Sequence, residues 1–122
     1  MKLPPSIIEK NILCDLPDDY GAYLYKFIDT LHPAKAPYIG IKKGKLPEHG
    51  GEPYWSSSTN EEFIRLVQGD EPRFILEILQ VVPFKEYNAI QLKEFQMLKQ
   101  YPNIKTNSDV YNLSYGIPPY SN

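Results

Sequence analysis

The sequence predicts an α/β (α+β) domain built on a small three-stranded, mainly antiparallel sheet flanked by helices. The predicted order is strand–strand–helix–strand–helix. Three segments carry that prediction. Residues 20–28 (YGAYLYKFI) alternate with β periodicity. Residues 73–82 (RFILEILQVV) are a nearly continuous apolar run, and residues 84–101 (FKEYNAIQLKEFQMLKQY) repeat with helical period.

Residues 6–14 (SIIEKNILC) read as a short helix or an extended arm, so residues 1–19 are set apart as an N-terminal arm. In 20–28, Tyr23, Tyr25 and Phe27 share one face of a strand, and Ala22, Leu24 and Ile28 the other. Asp, Thr, His and Pro in 29–36 mark a turn, and 37–42 (PYIGIK) form a second strand, which closes a hairpin. Residues 43–58 are a long Gly/Pro/Ser loop, and a loop of that length in a small domain is often functional. Thr59 or Asn60 can cap a helix over about 60–68, with Glu61 and Glu62 favourable in its first turn and Gly69 ending it. The run at 73–82 suits a strand buried on both faces. Residues 102–122 read as loop and turn.

Length and composition narrow the function classes. A chain of 122 residues holds one compact domain, and 42% apolar with 23% charged residues is a globular balance, which argues against global disorder. No apolar run reaches the roughly 20 residues of a membrane helix, and the N-terminus lacks the apolar stretch of a signal peptide. One cysteine allows no internal disulfide, and with His32 and His49 alone beside it a zinc site is poor. No phosphate-binding glycine motif occurs. The expectation is a cytoplasmic protein with no membrane partner.

Charge is unevenly spread. The net charge is −2, yet residues 26–45 hold Lys26, Lys35, Lys42, Lys43 and Lys45 against Asp29 alone. A local basic patch can attract a polyanion, because the potential that matters acts within a Debye length. A solvated lysine-rich hairpin gives the same pattern.

One residue breaks the helical pattern of 84–101. On a wheel starting at Phe84, Ile90 falls at about 240°, Glu94 at about 280°, Tyr87 at about 300° and Leu98 at about 320°. Glu94 therefore lies in the middle of the apolar stripe. An unpaired buried carboxylate costs several kcal/mol or takes up a proton, so such a group has a partner, a metal or a catalytic task. An ion pair with Arg65 or Arg73 is the structural alternative to a functional role.

Taken together, these residues resemble the GIY-YIG nuclease family, in particular its small phage-borne, homing-endonuclease-like branch. Tyr23-Leu24-Tyr25, followed by Lys26-Phe27, resembles the first motif, and Tyr38-Ile39-Gly40 the second. Tyr54-Trp55-Ser56-Ser57-Ser58 sits where that branch has a Gly/Ser-rich turn. Residues 74–79 resemble the third strand, Glu94 with Leu98 the helix glutamate and its apolar neighbour, and Tyr111-Asn112-Leu113-Ser114 the closing asparagine motif. The likeness spans about 20–116, leaving 117–122 as a tail.

The resemblance implies a metal-dependent DNA endonuclease. Glu94 would hold Mg²⁺ or Mn²⁺, hard cations suited to oxygen ligands. Tyr25 and Tyr38 would lie close together on paired strands, and one of them, or a water it orients, would supply the nucleophile. Asn112 would orient a phosphate or a backbone group. The family's catalytic arginine, expected on the first helix, has no match in residues 41–64, so Arg65 is the first candidate, with Lys42, Lys43 and His49 as others. Lys26, Lys42, Lys43, Lys45, His49 and Ser57 are the candidate DNA contacts. With no appended DNA-binding domain, specificity would come from the long loop or from a partner protein. Two other readings stand beside this one: a catalytically inactive domain of the same fold that binds DNA or a host or partner protein, and an unrelated small α/β domain whose tyrosines are only core.

Overall fold

The computed structural model describes residues 3–58 and 60–101. Six regular elements run along them: β1 (Ile7–Ile12), β2 (Ala22–Asp29), β3 (Tyr38–Lys43), α1 (Glu61–Gln68), β4 (Phe74–Val82) and α2 (Tyr87–Leu98). The four strands form one mixed sheet in the order β1-β4-β2-β3. The domain is thus α+β, but its sheet has four strands where the sequence predicts three.

The added strand is the segment predicted to be a short helix or arm. β1 runs parallel to β4, with Lys10 opposite Leu76 and Ile12 opposite Ile78. An apolar strand such as β4 exposes hydrogen-bonding groups on both edges, and β2 covers only one of them. β1 supplies the other edge. Of its own residues only Ile7 is buried, which is why its pattern carries so little β signal. The helix expected over 84–101 also starts later: Phe84–Glu86 form a 3-10 turn behind Pro83, and α2 begins at Tyr87. The long loop contains two further 3-10 turns, at Pro47–His49 and Tyr54–Ser57.

β2 is central and pairs antiparallel with both β3 and β4. Tyr25 lies opposite Gly40, and Phe27 opposite Tyr38. A Cβ on Gly40 would stand 2.6 Å from Tyr25 Cζ, so the second motif needs glycine there for the tyrosine ring to cross it. The end of β2 is tied to the start of β4 by a buried ion pair. Arg73 Nε and Nη2 donate to the two carboxylate oxygens of Asp29 at 3.1 and 2.7 Å, and Arg73 Nη1 reaches Glu71 at 3.0 Å.

The sheet separates two cores. On one face Tyr20, Tyr23, Tyr25, Phe27, Tyr38 and Phe74 pack with Phe63 and Val67 of α1 and with Leu46 and Tyr54 of the long loop. On the other, Ala22, Leu24, Ile39 and Val82 pack with Ile90 and Leu98 of α2. Strand alternation produces this division, because successive side chains of β2 point to opposite faces. α1 starts as expected, with Asn60 Oδ1 accepting from the Phe63 amide at 3.1 Å and Glu61 and Glu62 in the first turn.

Candidate functional site

The buried stripe of α2 consists of Ile90, Glu94 and Leu98, each one helical turn from the next. Glu94 is only 9% exposed. Both arginines that could have explained it structurally are elsewhere. Arg73 is bound to Asp29 and Glu71. Arg65 is exposed on α1, across the sheet, where it lines an open hollow with Glu61, Ile64 and Gln68. Among the described residues no ion pair or hydrogen bond satisfies the Glu94 carboxylate. Burial pushes its pKa up to about 7 from an ordinary 4.5. The group therefore exchanges its proton near neutral pH.

Tyr87, two turns earlier on the same side of α2, is close enough to feel that charge. Its phenol is pushed upward by burial and then by the Glu94 carboxylate, so it stays protonated and a hydrogen-bond donor at neutral pH. The Lys43 ammonium lies 4.8 Å from the centre of the Tyr87 ring. In the sequence Tyr87 looks like an ordinary member of the apolar stripe. Its signal is positional: it sits seven residues before a misplaced glutamate, on the same helical face.

The tyrosines of the two motifs lie on the other face. The Tyr25 and Tyr38 ring centroids are 6.2 Å apart. Tyr25 is fully buried, and its hydroxyl donates to the Tyr54 carbonyl at 2.6 Å. Tyr38 stacks on Phe63, with centroids 4.1 Å apart and planes 18° from parallel. The long loop covers this face, and Tyr54 packs against Tyr23, Tyr25 and Phe27. Tyr25 and Tyr38 are thus brought together, but the sheet stands between them and the stripe that carries Glu94. Asn112 lies outside the described residues, as does the Ser57 side chain.

Four of the five lysines in residues 26–45 lie against a carboxylate or a carbonyl oxygen. Lys26 pairs with Glu77 at 3.2 Å, Lys35 with Glu62 at 3.8 Å and Lys42 with Glu52 at 3.9 Å. Lys45 donates to the Asp18 carbonyl at 2.5 Å and lies over the Tyr20 ring. His49 Nδ1 is 2.6 Å from the Tyr20 hydroxyl, which also accepts from the Leu46 amide, so His49 helps to pin the long loop. These neighbours reduce the field that five lysines would otherwise present.

No family model, curated protein or solved structure matches the chain. The resemblance to the GIY-YIG nucleases therefore rests on the motifs quoted above. Among the described residues no group of three or more His, Cys, Asp or Glu could hold a metal ion, and no helix is long and apolar enough to cross a membrane. A site on α2 would have one protein carboxylate, with water and phosphate oxygens completing the shell. Such a shell suits Mg²⁺, which keeps several waters, and the Glu94 carboxylate, without a partner among the described residues, has the right donor chemistry.

Proposed function

We propose that this chain is a metal-dependent endonuclease that hydrolyses DNA phosphodiester bonds, with Glu94 as the ligand for Mg²⁺ or Mn²⁺. The observation that carries the reading is the Glu94 carboxylate itself. It is buried in the apolar stripe of α2, raised in pKa and without an ionic partner among the described residues. A carboxylate with no structural task destabilises the fold, and a bound cation would compensate for it. The motif resemblance points to the same residue independently of its burial.

When bound, the cation would stabilise charge on the phosphate and on the leaving oxygen. Glu94 would hold it, and the protonated Tyr87 phenol would be available to donate a hydrogen bond beside it. Tyr25 fixes the loop through the Tyr54 carbonyl. In this reading the tyrosine pair shapes the sheet under the site, and Asn112 remains a candidate phosphate-orienting residue.

One observation favours a second reading, a non-catalytic domain that binds DNA or a partner protein. Tyr25 and Tyr38 are packed into the α1-face core, away from Glu94. Supercoiled plasmid separates the two. Incubation with Mg²⁺ or Mn²⁺ is expected to give nicked or linear product that EDTA and Glu94→Ala both abolish. A folded wild-type protein that leaves plasmid intact with either metal would reject the nuclease and leave the binding domain.

A further inference from the structure

Among the five lysines of the basic segment, Lys43 is differently placed. Lys26, Lys35 and Lys42 each lie within ion-pair distance of a glutamate, and Lys45 is held by a carbonyl. Lys43 is exposed at the end of β3 and has no carboxylate within that distance among the described residues. Its ammonium instead lies 4.8 Å from the Tyr87 ring centre and 5.8 Å from that of Phe84. Two aromatic faces can hold a cation in place without neutralising it, so its charge stays available to an anion.

Its side of the sheet is the second point. Lys43 is opposite Ala22 in the β2–β3 register, and Ala22 belongs to the core beneath α2. Lys43 therefore shares a face with Glu94, and Tyr87 links them: its ring carries the ammonium and its phenol feels the carboxylate. Arg65, the first candidate cation from the sequence, is on the opposite face.

Phe84 is the third. It is 61% exposed, the most exposed of the large apolar side chains among the described residues. Its backbone is fixed by a close approach to Gly21, where an added Cβ would stand 2.9 Å from the Phe84 Cβ and amide nitrogen. A ring held on a rigid turn beside an unpaired ammonium suits an unstacked nucleobase next to its own phosphate.

We infer that Lys43 and Phe84 form the nucleic-acid seat of the Glu94 site, Lys43 on a phosphate and Phe84 under an unpaired base, so that the substrate strand is single-stranded or locally opened. This rests on the nuclease reading for its role beside Glu94, but its binding chemistry stands apart from catalysis. The test is anisotropy of a fluorescent single-stranded oligonucleotide in EDTA, across a salt series, with the same sequence as duplex alongside. The expected result is tighter binding of the single strand. Lys43→Ala should lower the slope of log affinity against log salt by about 0.7 and weaken binding several-fold, with Lys43→Arg restoring most of it. Phe84→Ala should weaken binding with the slope unchanged, and Arg65→Ala should match wild type. Equal binding by Lys43→Ala and wild type, a duplex preference, or a loss confined to Arg65→Ala would overturn the inference. Plasmid nicking decides the nuclease reading separately, since it can succeed or fail whichever variant loses oligonucleotide binding.

Discussion

Glu94→Gln is expected to make the fold more stable at alkaline pH. The carboxyl has an ordinary pKa of 4.5, and burial pushes it up to about 7 in the folded chain. Between those values the folded state binds more protons than the unfolded state, so stability falls as pH rises through this window. Above it the buried charge lowers stability by on the order of 3 kcal/mol. Glutamine is nearly isosteric, cannot ionise and resembles the protonated acid. The variant should therefore match wild type at about pH 4 and exceed it by on the order of 2–3 kcal/mol at about pH 8. Denaturant unfolding at the two pH values measures the difference. Equal stability at both would mean that the carboxylate is well solvated or paired in solution. A residue that destabilises its own fold at neutral pH is best understood through a ligand, and that links this measurement to the functional proposal.

Arg73→Ala is expected to have the opposite sign and a larger size. Arg73 donates two hydrogen bonds to Asp29, and the two side chains are 6% and 1% exposed. Removing the guanidinium leaves Asp29 buried without its counter-charge, a loss of about 3–5 kcal/mol. Domains of this size are stable by about 5–15 kcal/mol, so the variant would lose a large share of its margin. The Arg73 carbonyl also accepts from the Thr30 amide at 2.9 Å, but that bond belongs to the backbone and survives the substitution. Asp29→Leu combined with Arg73→Met removes both charges and should recover most of the loss. If the double variant is no more stable than Arg73→Ala, the cost lies in lost contacts rather than in an uncompensated charge.

The same two residues show what could be read from the sequence. Glu94 was visible because helical periodicity places every side chain of one segment on a known face, and a carboxylate among Ile90 and Leu98 breaks the pattern. Whether Arg73 or Arg65 answered it was not visible, since ion pairing is set by tertiary contacts. The β2–β3 hairpin, the Asn60 cap and the apolar run of β4 were legible because each is a local signal. β1 was not. Its partner lies more than sixty residues away, only Ile7 is buried, and Ile8 and Ile12 are 52% and 43% exposed. Alternation in β2 put Tyr23, Tyr25 and Phe27 on one face, and the motif resemblance implied that Tyr38 lies near them. Alternation carried no information on which face α2 would take, and that choice separates the tyrosines from Glu94. The sequence offers Lys43 as a candidate cation beside Lys42 and His49, and only the tertiary neighbours of the other lysines set it apart.

The most direct test of the account is the titration of the Glu94 side-chain carboxyl itself, followed by carbon NMR with and without millimolar Mg²⁺. The expected result is a midpoint near 7 in the metal-free protein and a fall toward the ordinary carboxylate range when Mg²⁺ is added, because a bound cation favours the ionised form. A midpoint that Mg²⁺ leaves in place would contradict the assignment of Glu94 as a metal ligand.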